Sequence, residues 1–283
     1  MFRAQSALKR NASSSPQLPY VAEMEPLYRM GYKPRSGELI MVAGRSGNMK
    51  STFVLWWLQR LHLPTLYFSA DMSAFQASTK LASYQLQKTV DQVALDMQVE
   101  PDGSFTDPGA AEHVLERLSK SPIHFSFGTP IRQDAMVEEI NAWVDLYNAY
   151  PSVIVVDNLM DMEGCEVGYE EQSLAMQALS NLSRQTGATI FVLHHATDKG
   201  EKAKADPFAP PPRSEIKNGL SEKAEQVLTV AIDNRDNTFK VAIVKQRMGY
   251  TDASAQNFAV MSVNPDKNIF WDPQGPLPDR GEA

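Results

Sequence analysis

The sequence predicts an α/β domain: a mostly parallel, twisted sheet with flanking helices, extended at its C-terminal end by an antiparallel hairpin. Three observations point there. Residues 39–43 are an apolar run that passes through a glycine-containing turn, 44–49, and Lys50 into an apolar helix from Ser51 onward. Residues 153–156 are four consecutive β-branched side chains ending on Asp157, the pattern of a strand buried on both faces. Residues 226–232 and 238–244 bracket a turn-rich stretch, 233–237, which is a hairpin signature.

At 283 residues the chain has ample length for a large core, and no glycine-, serine- or proline-rich linker divides its middle. One principal domain is expected. The net charge of −7 argues against a surface coated in basic residues for nucleic acid, so any such binding must be local. The single cysteine, Cys165, excludes internal disulfides and cysteine-based zinc clusters and fits a reducing, cytoplasmic location. No apolar run approaches the roughly 18 residues needed to span a bilayer, so no membrane association is expected. The N-terminal segment also lacks the apolar core of a secretory signal.

Residues 1–22 contain no acid and are rich in serine, the composition of a flexible tail. The folded domain is expected over residues 23–272, with 273–283 a disordered, proline-rich tail. The turn at 44–49 nearly matches the phosphate-binding pattern G-x-x-x-x-G-K-[ST], with Gly44, Lys50 and Ser51 in place. Unpaired backbone N–H groups at a helix N-terminus, with the positive end of the helix dipole, make an anion site. The nucleotide-binding candidates are therefore Gly44, Arg45, Ser46, Gly47, Asn48, Met49, Lys50, Ser51 and Thr52. Lys50 would reach the β- and γ-phosphates, and the Ser51 hydroxyl would ligate magnesium. Met49 stands where the pattern has its second glycine. Its side chain must avoid a positive φ or shift the loop, because a non-glycine residue in that region carries a cost.

Residues 64–69 read as a short strand leading to Asp71, a carboxylate placed to face a nucleotide crevice or simply to form a turn. Ser73 is an N-cap for a helix running through Leu81 and Tyr84. Residues 89–121 look helical with a loop at 101–103, and 123–127 read as another strand. Residues 133–147 follow helical spacing, with Met136, Ile140, Trp143 and Leu146 on one core face. Asp157, at the carboxyl end of its strand, fits a Walker B carboxylate that holds and orients magnesium. An acidic loop at 163–171 precedes a helix at 173–186 that stops at Gly187. The strand at 189–193 ends in His194 and His195, where a polar residue can sense the γ-phosphate. Adjacent strand residues point to opposite faces, so the two histidines do not share a metal ion.

Residues 198–213 form the longest evident surface loop, which is either functional or simply solvated. Lys199, Lys202, Lys204 and Arg213 are its candidate phosphate contacts, and Phe208 could stack on a base. The strand at 238–244 runs into Lys245 and Arg247. Further strands follow at 258–263 and 268–271.

In this order the parts resemble the RecA-like ATPase core of the DnaB-type replicative helicases and their phage relatives. The resemblance covers roughly residues 25–263 and is carried by the strand into the phosphate loop (37–45), the segment around Asp71 (68–73), the strand ending at Asp157 (153–160), the Leu193-His194-His195 strand end, residues 213–219, and the strand end at 241–249. It implies that Asp71 activates water, that His195 senses the γ-phosphate, and that Lys245 and Arg247 reach a neighbouring subunit's nucleotide. Met49 replaces the family's loop glycine, Asp71 is shorter than its usual glutamate, and His195 stands for its sensor glutamine. Only a short tail precedes the core, so a stand-alone core without the family's helical N-terminal domain is expected.

The resemblance implies a magnesium-dependent ATPase that acts on DNA, expected to be single-stranded, as a DnaB-like helicase or translocase core in phage-type replication or recombination, assembled as a homo-oligomeric ring or filament. Its cofactors are ATP and Mg2+, and its catalytic residues are Lys50, Asp71, Asp157, His195, Lys245 and Arg247, with Ser51 and Asp157 on the metal. Three alternatives stay open: a RecA-like recombination or annealing ATPase, a metal-dependent nuclease using Asp157, Asp161 and Glu163, and a nucleotide-binding protein that no longer hydrolyses.

Overall fold

The computed structural model describes residues 16–166, 168–197 and 206–275. The elements run in chain order: α1 (Glu25–Arg29), β1 (Leu39–Gly44), α2 (Lys50–Leu61), β2 (Thr65–Ser69), α3 (Ala74–Leu86), α4 (Val90–Asp96), α5 (Pro108–Ser119), β3 (Ile123–Phe127), α6 (Gln133–Tyr147), β4 (Val153–Asp157), α7 (Tyr169–Thr186), β5 (Thr189–His195), β6 (Gln226–Asp233), β7 (Thr238–Gln246), β8 (Ala259–Asn264) and β9 (Ile269–Trp271). Among the described residues the strands form one nine-stranded sheet in the order β3-β2-β4-β5-β1-β6-β7-β8-β9. The six strands from β3 to β6 in that order pair in parallel, and β6 through β9 form an antiparallel extension.

The core follows from the two-residue period of the strands. Ile40, Val42, Tyr67, Val155 and Leu193 face one side, where they pack with Phe53, Trp56 and Trp57 of α2. Met41, Ala43, Phe68, Ile154, Val156 and Val192 face the other, against Met136, Ile140 and Trp143 of α6 and Met176 and Leu179 of α7. Both faces are covered, which is why the parallel strands read as unbroken apolar runs. The aromatic side of α2 also joins the two halves of the sheet. Phe53 lies 4.9 Å from Phe239 and 5.5 Å from Phe270, ring centroid to centroid.

Local chemistry sets the helix ends. Ser73 accepts from the Gln76 amide while Gln76 reaches back to the Ser73 N–H, a capping box that starts α3 where the sequence placed it. Gly187, at φ +75°, ends α7 in the left-handed region. The 89–121 segment resolves into α4 and α5, joined through a pairing of Val99 with Phe105.

Two expectations are revised. Leu146 is not on the core face of α6 but 73% exposed. At 100° per residue it has drifted about 80° from Met136, and Tyr147 takes the place beside Trp143. Residues 16–22, assigned to the tail, pack on the domain: Gln17 pairs with Arg35, the Leu18 N–H donates to the Pro34 carbonyl, and Leu18 and Val21 are buried. Among the described residues no helix is long and apolar enough to cross a membrane.

Candidate nucleotide site

The carboxyl ends of β1, β2, β4 and β5 lie side by side. Register pairs Ser69 with Asp157 and Gly44 with His195, so groups far apart in sequence meet at one edge of the sheet. There a cavity of about 270 Å3 is lined by residues 46–52 together with Asp71, Lys80, Asp157, Asn158 and His195.

The loop between β1 and α2 is shaped by close approach. A Cβ on Gly44 would stand 2.9 Å from the Val230 carbonyl oxygen, so only glycine lets β1 pass β6 into the turn. Gly47 follows at φ +77°. Met49 adopts φ +54°, ψ +27°: the loop keeps the left-handed turn that glycine would favour, and methionine bears a cost of about 1–2 kcal/mol. Asn48 fastens the loop to β6 by accepting from the Ile232 N–H at 3.4 Å. No side chain caps the first turn of α2, and its amides open on the cavity.

Lys50 is buried, its ammonium donating to the carbonyls of Gly44 (3.2 Å) and Arg45 (3.1 Å). Lys80, from α3, brings a second cation that the sequence did not reveal, donating to Thr52 Oγ1 at 2.9 Å. Burial holds its ammonium below the usual lysine range, against the pull of Asp157. Asp157 is 1% exposed and accepts from the Tyr67 hydroxyl at 2.7 Å and from the Ser51 hydroxyl. Burial raises its carboxyl pKa, while Tyr67 and Ser51 pull it back and Asp71 pushes it further up. A hydroxyl and a carboxylate meeting beside the phosphate loop form a hard-oxygen donor set that suits magnesium, which takes few protein ligands and keeps the rest for phosphate and water. The residues present therefore fit Mg2+.

Asp71 sits exposed on the turn after β2, where its Oδ2 accepts from Asn158 Nδ2 at 2.9 Å. His195 lines the cavity, whereas His194 faces the other side of the sheet, fully buried, donating from Nε2 to the Lys217 carbonyl. Burial lowers the His194 pKa to about 4, so it is neutral.

Other candidates are placed differently. Lys245 turns into its own chain, donating to the carbonyls of Ser221 (2.8 Å), Glu222 (2.8 Å) and Ala224 (2.6 Å). All three ammonium hydrogens are thereby used, against the expectation that it reaches a neighbour. Burial, then Arg213 and Arg247, lower its pKa to about 8. Arg247 is half exposed and leans on Glu225 at 3.6 Å. Arg213, expected on nucleic acid, instead donates from Nε to Ser221 Oγ at 2.9 Å. Phe208, expected to stack on a base, lies under the Arg235 guanidinium at 3.9 Å. Lys199, Lys202 and Lys204 lie outside the described residues.

The nuclease cluster does not assemble. Asp157 is tied to Tyr67 and Ser51, Asp161 stands beside Asp71, and exposed Glu163 faces Arg132 at 4.0 Å. Among the described residues no three histidine, cysteine, aspartate or glutamate side chains gather to hold a metal ion. What the local sequence could not reveal was Lys80, Tyr67 and Asn158, since each joins the site through the register of strands or the packing of α3 rather than through a motif.

A phosphate-type loop at the carboxyl edge of this parallel sheet, with an acid closing β4 one strand beyond β5, defines a P-loop protein with a RecA-like core. Residues 24–263 match the pattern described as DnaB-like helicase C-terminal domain, and the chain belongs to that family. It is similar to the Gene 65 proteins of Mycobacterium phage L5 (30% identical over 266 residues, 90% of this chain and 92% of the relative) and phage D29 (28% over 238 residues, 79% and 94%). In fold it resembles an ATPase domain solved on its own (TM-score 0.76, 14% identity, covering 95% of this chain and 97% of that one). It also resembles a DnaB-like replicative helicase solved for its interactions with primase (TM-score 0.75, 14% identity); there it covers 95% of this chain and spans 65% of the other.

Proposed function

We propose that this chain is a magnesium-dependent ATPase that acts on DNA as one subunit of an oligomer. The observation that carries the reading is the convergence in one cavity of the uncapped N-terminus of α2, two lysines, the Ser51–Asp157 pair and Asp71. Backbone amides of residues 46–52, Lys50 and Lys80 bind the triphosphate and hold its charge as it shifts during transfer. Ser51 and Asp157 hold Mg2+, which supplies neutralisation of charge on the β- and γ-phosphates when bound. Asp71 orients a water and accepts its proton as the water oxygen attacks the γ-phosphorus and the bond to ADP breaks. His195 contacts the γ-phosphate side of the cavity.

The DNA reading draws on the family's helicase description and on the chain's similarity to a replicative helicase. Steady-state ATP hydrolysis with and without single-stranded DNA tests both halves. Hydrolysis stimulated by DNA and reduced about 10²-fold or more in Lys50→Ala is the expected result, since a group stabilising the transferring charge contributes several kcal/mol. Unchanged turnover in Lys50→Ala would overturn the nucleotide-site reading, and turnover indifferent to DNA would overturn the coupling.

A further inference from the structure

Asn158 follows the last residue of β4, is 3% exposed, and has a side chain whose orientation is fixed by its neighbours. Its Oδ1 accepts the N–H of Met160 at 2.9 Å and caps the short 3-10 turn Leu159–Asp161. The amide NH2 group must then point the other way. Facing it are Asp71 Oδ2 at 2.9 Å and, at the outer limit of a hydrogen bond, His195 Nε2 at 3.5 Å. An NH2 group carries two hydrogens and no acceptor, so each of its two partners must present a lone pair. For Asp71 that is the carboxylate. For His195 it is an unprotonated Nε2, which leaves the ring proton on Nδ1.

The three residues leave three adjacent parallel strands, β2, β4 and β5, at one edge. Asp71 and His195 are thereby joined through a single amide. We propose that Asn158 is the positioning residue of the hydrolytic step: it holds Asp71 by Oδ2, on a carboxylate that Asp161 also hydrogen-bonds, so that Asp71 is aimed to receive the proton of the attacking water, and it keeps His195 in the Nδ1–H form. Aspartate has one methylene less than glutamate and less reach, so a fixed neighbour must supply the aim that a longer side chain would find for itself. The inference rests on the cavity being the nucleotide site.

The test uses the full chain in two measurements. Asn158→Ser keeps a capping oxygen for Met160 but has no amide to bridge Asp71 and His195. Its kcat for ATP should fall about 10- to 100-fold while KM stays within about threefold, as expected when only an interaction of the transition state is lost. A folded Asn158→Ser with parental kcat, or with KM raised in step and kcat unchanged, would overturn the proposal. The second measurement needs neither activity nor a variant: ring 15N shifts of His195 in histidine-labelled parent protein should show a neutral Nδ1–H imidazole. An Nε2–H ring would refute the bridge even if Asn158→Ser failed to fold. A parent that neither binds nor hydrolyses ATP, yet shows the Nδ1–H ring, would instead sink the nucleotide reading and leave the contact standing.

Discussion

Met49 shows how a single side chain adapts a common loop. Its backbone occupies the left-handed region while its side chain packs partly against the core beside α2. Met49→Gly relieves the backbone and loses that packing, two changes of about 1 kcal/mol that oppose each other, so its stability should stay near the parent's. Met49→Val forces a β-branched residue into the same conformation. It should lower the melting temperature and weaken nucleotide binding, by thermal unfolding with and without ATP; a valine variant as stable as the glycine one would show that the loop moves freely. Tyr67 is the other residue with a sharp expectation. Tyr67→Phe leaves one oxygen of a buried carboxylate without its partner, at a cost of about 1–3 kcal/mol in denaturant unfolding. The same variant should need more Mg2+ for half-maximal turnover, because the carboxylate loses the contact that orients it. No change in either quantity would show that the Tyr67 hydroxyl is idle.

At the scale of elements, most of the fold was legible because each strand and helix announces itself over a short run of neighbouring residues. The buried runs of β1 and β4, the Ser73 cap and the 233–237 turn are all local patterns. Of the cavity lining, residues 46–52, Asp71, Asp157 and His195 were legible, because a motif or a strand end carries each of them. Tyr67 reaches Asp157 because β2 and β4 pair in a register that aligns Ser69 with Asp157, and no local pattern encodes a register between residues 90 positions apart. Lys245 failed as an outward group for a related reason: the carbonyls that hold it come from the turn before β6, across a ladder. The loop after β7 carries a pH test. Hydrogen bonds from Ser254 and Asn257 lower the Asp252 pKa to about 2 from the usual 3.8. A carboxylate depressed in the folded state stabilises it above about pH 4, and the contribution fades as the pH falls from about 4 to about 2. Asp252→Asn should therefore be less stable than the parent at about pH 7, with the gap closing by about pH 2. A gap that held constant through that window would assign the loss to geometry and not to charge.

For the whole molecule the test concerns the oligomer proposed above. Arg247 is half exposed and rests at 3.6 Å on Glu225, a mostly covered carboxylate that also takes Arg184 at 3.1 Å, so Arg247 can turn to another anion without leaving Glu225 unpaired. If it serves the nucleotide of an adjacent subunit, Arg247→Ala should bind ATP normally and hydrolyse it roughly 10³–10⁵ times more slowly. Mixing Arg247→Ala with Lys50→Ala should restore turnover at interfaces that pair an intact Lys50 with an intact Arg247; no recovery in demonstrably mixed oligomers would refute action across the boundary. Within one subunit, Arg45 has a different consequence. Its carbonyl takes the Lys50 ammonium, while its guanidinium holds the Ala209 carbonyl at 3.1 Å and Glu215 at 2.8 Å. The carbonyl of Gly44, one residue earlier, accepts the Ala196 N–H, and the Glu215 carbonyl accepts the Thr197 N–H. The residues flanking the 198–213 segment are thus tied to each other and to the phosphate loop. A shift of the phosphate loop would therefore be felt at Ala196–Thr197 and at Ala209–Glu215 together.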